Sequence, residues 1–576
     1  MEKWLIYCKK ADFAAISQKF NITPMLARII RNRDVCGDEA IAEYLNGGIE
    51  DMHDPFLLDG MDEAVSLILS SINEGRKIRI IGDYDVDGVC SSYILNSYFR
   101  FLGADSDVRL PDRILEGYGM NVSMADEAFA DGVSLIVTCD NGVSSLDAVT
   151  RAKELGMDII ITDHHEIPEV LPPANVIVDP KLKDCAYPFK EICGGGVAYK
   201  VVKALSKYVD PSKIEESDAL LDSLLQFAGM ATVADIVPMT GENRIFAREG
   251  ISRLRHTENV GLRALMDARS VDMENISAYH IGFILGPCIN SAGRLKNADI
   301  AYRLLESRYA DEAAAIAAEL SALNEERKEL TIKQAAIAEE MVNEMAERGQ
   351  LPKVIVLYLE DAHESVAGII AGKIKDIFNH PVIVLTKSED GIKGSARSID
   401  SYNMIGEISK YPELFTRFGG HAKAAGFTLK CTPDELSKAL NDNCTLNDDD
   451  LVKKVWIDMQ LPFEYVTEDF VEELKLLEPF GTGNEKPLFA EKDIKVVYYN
   501  VFGKNNNVLK LRLRNKNGST IDGIMFGSEQ EIAAKCAEIE NADTVSFTYY
   551  PDINEFRGTK TPQVQIRSLI CHNQIV

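Results

Sequence analysis

Eight acidic residues and histidines lie directly after apolar runs of the sequence. They are Asp83, Asp85, Asp87, Asp140, Asp163, His164, His165 and Asp179. The preceding runs are RKIRII, VSLIVTC, MDIIIT and NVIV. Carboxylates gathered in one place repel one another unless cations lie among them. The two adjacent histidines add nitrogen ligands, which favour manganese or another transition metal over calcium. Because five or more ligands exceed the needs of one ion, the pattern predicts two metal ions.

The four apolar runs predict the strands that would position these side chains. The predicted strands are Lys77–Ile81, Val133–Thr138, Asp158–Thr162 and Asn175–Val178. They alternate with helical stretches between residues 51 and 240, which is typical of a parallel α/β sheet. Ligands of such sheets bind just beyond the carboxyl ends of the strands. We therefore expect the aspartates at the four strand ends to share one crevice.

Two simpler explanations compete with a metal site. The segment DYDVDG at residues 83–88 matches the start of an EF-hand loop. That loop requires Glu at its twelfth position, where this chain has Ile94, and a helix rather than a strand before it. An Asp after a strand can also cap the next helix, and capping stays open for Asp140 or Asp179 taken alone. The coincidence of four such ends with the histidine pair favours the metal site.

Composition limits the possible classes of protein. The chain has 576 residues, too many for one hydrophobic core, and is 46% hydrophobic and 26% charged, as globular proteins are. A net charge of −28 argues against a surface widely coated by nucleic acid or membrane. Eleven cysteines without a CxxC pair argue against a disulfide framework or a zinc ribbon. The start MEKWLIYCKKADF lacks a cleavable signal pattern, and long apolar runs are missing, so we expect a cytoplasmic protein without membrane contact.

The pattern along the chain predicts a multidomain α/β protein with five segments. They are an N-terminal helical extension (1–50), a parallel-sheet α/β domain (51–240), a helical connector with a long bridging helix over about 311–348 (241–350), a second α/β domain (351–446) and a small β-barrel (452–576). The second α/β domain has strands KVIVLYL and PVIVLTK, with glycine-rich turns at 391–395 and 419–426. The alternating segments IKVVYY, VLKLRLR, TVSFTYY and QVQIRSLI predict the barrel.

The order of motifs resembles a known family. IGDYDVDG, TCDNG, the DHH triplet at 163–165 and ATVADIVPM, which contains Asp235, resemble the motifs of DHH phosphoesterases. RLPDRILEGYGM, GPCINSAGRL, GGHAKAAGF and LEPFGTGNEKPLF resemble segments of the RecJ family within that superfamily, over residues 20 to 570. The resemblance implies that the first α/β domain is a DHH domain, that the second is a DHH-associated domain and that the C-terminal barrel is an OB-type domain.

The resemblance also implies roles for the site residues. The implied metal ligands are Asp85, Asp87, Asp140, His164 and Asp235, with Asp140 as the bridge between two Mn²⁺ or Mg²⁺ ions. Asp83 is either a ligand or an orienting neighbour. Asp163 and His165 either bind metal or orient His164 and contact the phosphate. Two such ions favour in-line hydrolysis at phosphorus, because they activate water and offset charge on the phosphoryl oxygens.

Small and basic residues of the second α/β domain are candidates for binding phosphate. They are Ser395, Arg397, Gly420, His421 and Lys423, and Arg113 and Arg294 are further candidates for the strand backbone. Glycine lets the backbone approach a phosphate, and Arg, His and Lys supply charge-assisted donors. The alternative is that the glycines merely form turns between strands.

The barrel segment VLKLRLR predicts a basic face. Period-two alternation places Lys510, Arg512 and Arg514 opposite the leucines. Residues 501–520 include five basic residues and no acidic one. A solvated strand face is the alternative, but the resemblance to single-strand-binding OB domains favours a nucleic-acid surface, with Tyr498, Tyr499 and Phe502 as stacking or core residues.

We therefore expect a single-stranded-DNA-specific 5′-to-3′ exonuclease that releases mononucleotides in DNA repair and recombination. The resemblance alone supplies the polarity, and it implies association with a DNA helicase and a single-strand binding protein. One alternative is a DHH phosphodiesterase acting on short oligoribonucleotides or cyclic dinucleotides, although the residues after Leu451 argue against it. Another is a scaffold without catalysis, against which the intact ligand set argues.

Overall fold

The computed structural model describes residues 2–113, 115–388 and 391–573. Residue 1 and residues 574–576, at the ends of the first and last predicted domains, lie outside these ranges. The chain divides into two compact units. The first comprises His53–Val237 and Phe246–Lys453, and the second comprises Glu2–Met52, Pro238–Ile245 and the residues from Lys454 onward. Within the described ranges, each helix is too short or too polar to cross a membrane.

The first unit contains a five-stranded parallel sheet. Its strands are β2 (Ile78–Ile81), β3 (Ser106–Arg109), β4 (Leu135–Cys139), β5 (Asp158–Thr162) and β6 (Val176–Val178). Their order is β3-β2-β4-β5-β6, with every neighbouring pair parallel. Strands β2 and β4 are buried throughout, which explains why they are continuous apolar runs. The four predicted strands are confirmed, whereas the sequence SDVR of β3 is too polar to be detected in this way.

Helices cover this sheet and connect it to a second one. In chain order they are α4 (Met61–Asn73), α5 (Val86–Phe101), α6 (Val122–Ala130), α7 (Leu146–Glu154), α8 (Gly194–Leu205), α9 (Ile214–Ala234), α10 (Gly241–Leu254), α11 (Val260–Ala268), α12 (Ala278–His280), α13 (Gly286–Leu295), α14 (Asp299–Glu306) and α15 (Ala310–Glu347). A π-helical turn at Ile281–Leu285 joins α12 to α13. The long helix α15 confirms the predicted bridge, because it packs against α11 and α13 and also contributes Ala335, Ala338 and Val342 to the core beside the second sheet.

The second sheet of the first unit is mixed. Its strands are β7 (Ile355–Tyr358), β8 (Val382–Ser388), β9 (Gly391–Arg397), β10 (Phe415–His421) and β11 (Ala424–Leu429), in the order β10-β11-β9-β8-β7. Its helices are α16 (Glu364–Phe378), α17 (Met404–Ile408) and α18 (Pro433–Asp442).

The prediction of glycine-rich turns at 391–395 and 419–426 is wrong, since most of these residues form antiparallel strands. Gly394 shows the reason: a Cβ there would lie 2.2 Å from the ring of Phe427 on the neighbouring strand. The glycine makes room for a side chain within the sheet.

The second unit contains a closed β-barrel. The strands of this part of the chain are β12 (Lys453–Ile457), β13 (Met459–Gln460), β14 (Phe489–Phe502), β15 (Val508–Arg514), β16 (Thr520–Phe526), β17 (Thr544–Phe556) and β18 (Thr559–His572), and the helices are α19 (Glu468–Leu474) and α20 (Glu529–Glu540). Strand β12 lies outside the barrel. The barrel runs β14-β15-β16-β18-β17 and closes where β17 pairs with β14. Closure leaves the barrel strands without free edges. The predicted β-barrel is therefore confirmed.

The N-terminal segment shares the core of this barrel. It forms β1 (Glu2–Ile6), α1 (Phe13–Phe20), α2 (Pro24–Asn32) and α3 (Asp38–Asn46). Thr23 caps α2 and Pro24 occupies its first position. The buried side chains of α2 join those of the barrel in one hydrophobic cluster. The prediction of helices is wrong for the first residues, because β1 pairs with β12, a partner about 450 residues away in the chain.

Short 3-10 helices complete the architecture. They lie at Ile49–Asp51, Pro55–Leu57, Ser206–Tyr208, Pro211–Lys213, Pro412–Leu414, Phe463–Tyr465 and Lys475–Leu477.

Candidate metal centre and nucleic-acid surfaces

Three aspartates stand where neighbouring parallel strands end. Asp83 follows β2 after one residue, Asp140 follows β4 directly and Asp163 follows β5 directly. The carboxyl ends of β2, β4 and β5 meet at one edge of the sheet. Asp140 has φ of 60°, a left-handed conformation that Asp tolerates better than most residues. Asp85 caps α5 by accepting hydrogen bonds from the N–H groups of its first turn.

His164 lies among three carboxylates. Its Nε2 is 3.1 Å from Asp140 Oδ1, 3.7 Å from Asp87 Oδ2 and 3.8 Å from Asp235 Oδ2. Among the described residues, three groups of donors have ligand atoms within 4.8 Å of one another. They are Asp140 with His164 and His165, Asp87 with His164 and Asp235, and Asp83 with Asp85 and Asp140. The structure therefore brings together seven of the eight residues for which the resemblance implies a role in the metal site, and Asp140 and His164 each belong to two groups.

The protonation properties of these groups fit a cation. Burial and the neighbouring carboxylates raise the pKa of Asp87 to about 7 and hold those of Asp83, Asp140 and Asp235 well above their usual range. Burial, and then the nearby His165, lower the pKa of His164 to about 3, so its imidazole is neutral and can act as a metal ligand. A divalent cation would remove the repulsion among these carboxylates. The donor set therefore suits such an ion.

Backbone groups at the start of α8 hold Asp87. Gly194 N donates to Asp87 Oδ2 at 2.8 Å, and Gly195 N donates to Asp87 Oδ1 at 2.6 Å. A Cβ on Gly194 would lie 2.7 Å from the Cβ of Asp140, so this position requires glycine. Sequence reasoning missed these residues, although the run CGGG before an amphipathic helix was a usable signal for an anion-holding helix start.

Asp163 orients the histidine pair. Its Oδ1 accepts a hydrogen bond from His164 N at 2.8 Å and lies 2.7 Å from His165 Nδ1. Burial alone would raise the pKa of Asp163, but the bond from His165 outweighs it and the pKa lies below its usual range. Burial opposes protonation of His165 too, yet Asp163 raises the pKa of His165 to about 9. Asp163 lies outside the three donor groups found among the described residues, and it favours the cationic form of His165, which in that form donates hydrogen bonds and does not bind metal.

Asn141 and Tyr118 tie a neighbouring segment to the strand ends. Asn141 Nδ2 donates to Ile81 O at 3.0 Å, and Asn141 Oδ1 accepts from Met120 N at 3.1 Å. Tyr118 OH donates to Asp140 O at 2.7 Å and lies 3.1 Å from His165 Nε2. Both residues lie within motifs of the sequence, TCDNG and RLPDRILEGYGM, but their roles could not be predicted because their partners are distant in the chain.

Asp179 differs from the other strand-end aspartates. Its Oδ1 accepts a hydrogen bond from Lys181 N at 2.8 Å, which stabilises a turn. Burial and the charge of Asp163 raise its pKa to about 8. It is absent from the donor groups found among the described residues. The carboxylate at the end of β6 therefore serves the local turn, and the ligand set implied by the resemblance does not include it.

Three of the predicted arginines lie close together within the first unit. The guanidinium of Arg113 lies 4.8 Å from the ring centroid of Tyr84. Burial and the charge of Arg113 lower the pKa of Arg294 to about 9, and they lower that of Arg397 as well. Arg113 and Ser395 line a cavity of about 360 Å³. Gathering like charges is unfavourable without an anion, so this arrangement suits a phosphate group.

The β10–β11 hairpin places the remaining candidates of the second sheet. Gly420, near the end of β10, has φ of 142°, and a Cβ there would lie 2.3 Å from Ala424 O, so this strand position requires glycine. Burial and the positive charge of His165 lower the pKa of His421, which lies on the side of the metal centre. Lys423 is exposed and forms an ion pair with Asp400.

The basic barrel face is partly neutralised. Lys510, Arg512 and Arg514 are exposed while the leucines between them are buried, as the alternation predicts. Asp522 on the neighbouring strand β16 lies 3.0 Å from Lys510 Nζ and 2.5 Å from Arg512 Nη1. Asp522 lies just beyond the segment 501–520, which has no acidic residue, and strand pairing brings it opposite the cations.

Two of the three aromatic candidates of the barrel face solvent. Tyr498 is 62% exposed and Phe502 is 43% exposed. Tyr499 instead packs against the barrel core, and its hydroxyl donates to Glu540 Oε1 at 2.5 Å. Tyr498 pairs across the strands with Arg512, so an aromatic ring and a cation stand side by side on β14 and β15.

Three protein-family models match the sequence of this chain. The model of the DHH family, N-terminal domain, matches residues 77–228, the DHHA1 domain matches 351–444 and the RecJ OB domain matches 457–568.

Whole-chain comparisons agree with these matches. The chain is 36% identical to the single-stranded-DNA-specific exonuclease RecJ of Bacillus subtilis, over 96% of this chain and 69% of the relative. It is 33% identical to the RecJ exonuclease of Haemophilus influenzae, over 94% of this chain and 95% of the relative. The crystal structure of RecJ in complex with Mn²⁺ from Thermus thermophilus matches with a TM-score of 0.83 and 25% identity, over 99% of this chain and 80% of that one.

Proposed function

Because the chain belongs to the RecJ family of single-stranded-DNA-specific exonucleases, we propose that it removes mononucleotides from single-stranded DNA in the 5′-to-3′ direction. The cofactor is Mn²⁺ or Mg²⁺, and the reaction is hydrolysis of the phosphodiester bond with two ions. Such an activity belongs to DNA repair and recombination. Association with a DNA helicase and a single-strand binding protein stays a prediction.

The observation that carries the proposal is the convergence of carboxylates on His164. Asp85, Asp87, Asp140, His164 and Asp235 would hold the ions, with Asp140 shared between two of the donor groups. Divalent ions bound there supply positive charge to the phosphoryl oxygens and lower the pKa of the attacking water. The chain itself fixes this arrangement: the N–H groups at the start of α8 orient Asp87, and Asp163 orients the cationic His165 toward the same site.

The arginine group supplies the second part of the proposal, which is binding of the strand. Arg113, Arg294 and Arg397, with Ser395, would hold backbone phosphates beside the metal centre. Arg294 Nη1 donates to Ser365 O at 2.6 Å, so part of its guanidinium is already fixed in place. Gly420 and His421 would contribute from the β10–β11 hairpin. Planar guanidinium groups suit phosphate because they offer paired donors.

The barrel would act as a separate module for long strands. Its exposed Tyr498 and Phe502 can stack bases beside Lys510, Arg512 and Arg514. Asp522 weakens this face, which makes the binding moderate.

The test is digestion of end-labelled single-stranded and duplex DNA with and without manganese. We expect the 5′-labelled single strand to release labelled mononucleotide at once, while the 3′-labelled strand shortens gradually. Duplex DNA and reactions without divalent ions should show little product. Equal digestion of duplex, or preference for a dinucleotide over a long strand, would contradict the proposal.

Asp140→Ala tests the metal centre within the same assay. The variant should lose hydrolysis at saturating manganese while its circular dichroism matches that of the wild type. Asp267→Ala is the matched control, since Asp267 is an exposed aspartate on α11 of the same unit. Substantial activity in purified Asp140→Ala would overturn the assignment.

A further inference from the structure

The two-stranded sheet of β1 and β12 presents an aromatic pair to solvent. The chain has two tryptophans, and both lie on this sheet. Trp4 packs against the small apolar cluster around Ile457, whereas Trp456 is 49% exposed. Tyr7, directly after β1, stacks on Trp456 with ring centroids 4.9 Å apart and planes inclined by 24°. The exposed face of Trp456 is therefore a flat surface held in place by its neighbour.

Two lysines lie beside this pair. Lys9 Nζ lies 5.3 Å from the ring centroid of Tyr7. Lys454 is exposed and stands two residues before Trp456, which places both on the same face of β12. Val455 and Ile457 point to the opposite face, where they join the apolar cluster.

The local charge is opposite in sign to that of the chain. Residues 2–10, 24–34 and 454–458 contain seven Lys and Arg against three Asp and Glu, whereas the whole chain has 62 against 90. Of the three acids, Asp458 forms a buried ion pair with Arg33 at 2.7 Å. Asp34 lies 2.7 Å from Lys9, and the additional acid Glu485 lies 3.9 Å from Arg33. These segments keep an excess of positive charge after these pairs are counted.

We propose that Trp456, supported by Tyr7 and flanked by Lys454 and Lys9, is a further contact for single-stranded nucleic acid in the second unit. A base would stack on Trp456 while the cations hold the adjacent phosphates. The charge favours a nucleic-acid strand over an apolar protein segment, because Lys9 and Lys454 stand beside the aromatic pair. The choice of DNA rests on the proposed function, but the contact itself requires neither hydrolysis nor metal.

Tryptophan fluorescence tests the contact directly. Trp4→Phe leaves Trp456 as the single tryptophan, and a long oligothymidylate is titrated in the presence of EDTA so that no strand is cut. We expect quenching of Trp456 emission that saturates together with binding measured by fluorescence anisotropy of a labelled strand. Unchanged emission at saturating strand would overturn the proposal. Because EDTA is present, failure of the nuclease assay would leave this result interpretable.

Substitutions test the contribution of the contact to affinity. Trp456→Ala should weaken binding by about tenfold, which corresponds to about 1.4 kcal/mol and to the loss of one stacked base. Trp456→Leu keeps apolar bulk without an aromatic ring and should lose a similar part of the affinity, so it replaces Trp456→Ala as the deciding variant if the latter melts at a lower temperature. Tyr465→Ala is the control, because Tyr465 is a 55% exposed aromatic residue of the same unit. Wild-type affinity in Trp456→Ala would overturn the proposal.

The cationic part has its own readout. Lys454→Gln should reduce the slope of log affinity against log salt by about 0.7, the value for one phosphate contact on a single strand. An unchanged slope would show that Lys454 does not contact phosphate and would contradict its place in the surface.

Discussion

Asp235→Asn should stabilise the metal-free protein while removing its stabilisation by manganese. Asp235 and Asp87 belong to one donor group whose ligand atoms lie within 4.8 Å of one another. At an effective dielectric constant of about 20, two unit charges at that separation repel by about 3.5 kcal/mol. The Asp235 side chain is 27% exposed, and solvent reduces the repulsion, so we expect a gain of roughly 1–3 kcal/mol.

The pH dependence of this gain has a definite sign. The pKa of Asp235 in the folded protein lies well above its ordinary value of 3.8, because burial and then Asp87 disfavour the charged form. A raised carboxyl pKa makes the wild type lose stability as the pH rises above the unfolded value. Asn carries no charge, so the variant does not lose stability in this way as the pH rises. The difference in melting temperature between variant and wild type should therefore be small near pH 4 and several degrees at pH 8.

The assay is thermal unfolding in EDTA and in excess Mn²⁺, with Asp267→Asn as control because Asp267 is exposed on α11. Mn²⁺ should raise the melting temperature of the wild type and of the control, since a ligand that binds the folded state stabilises it. Asp235→Asn should show little further rise. Destabilisation of metal-free Asp235→Asn, or a manganese response equal to that of the wild type, would refute the reasoning.

Further substitutions test other parts of the molecule. Gly194→Ala would place a Cβ 2.7 Å from the Cβ of Asp140, so cleavage should fall by about 100-fold and the manganese-induced rise in melting temperature should shrink. Wild-type kinetics would show that this close approach is unimportant. Glu491 is 8% exposed, and burial raises its pKa to about 7 from the ordinary value of 4.5. Its ionisation therefore lowers the free energy of unfolding as the pH rises above 4.5. Glu491→Gln should melt with the wild type near pH 4 and higher at pH 8, by up to about 3 kcal/mol of unfolding free energy; equal melting at both pH values would contradict the shift. Asp522→Asn frees two cations on β15, so single strands should bind more tightly and the salt slope should steepen by about 1.4. Unchanged binding would show that single strands do not contact this face of the barrel.

Local patterns predicted the parts of the site that depend on local structure. The apolar runs of β2, β4 and β5 are buried strands, and Asp83, Asp140 and Asp163 follow them in the sequence. The geometry of a parallel sheet then places their carboxylates at one edge. The alternation of β15 likewise predicted which side chains enter the barrel.

Contacts between distant residues could not be predicted in this way. Gly194 supports Asp87 across more than 100 residues, and Asp522 reaches its cations through strand pairing. The pairing of β1 with β12 joins segments far apart in the chain. Gly394 signals a turn in sequence, but it makes room for an aromatic ring within a sheet. Each miss concerns a residue whose role is set by its tertiary partner.

Anomalous diffraction from crystals grown with Mn²⁺ tests the central claim most directly. We expect two manganese peaks among Asp85, Asp87, Asp140, His164 and Asp235, with Asp140 between them. Absence of peaks at this edge of the sheet, or carboxylates turned away from one another, would contradict it.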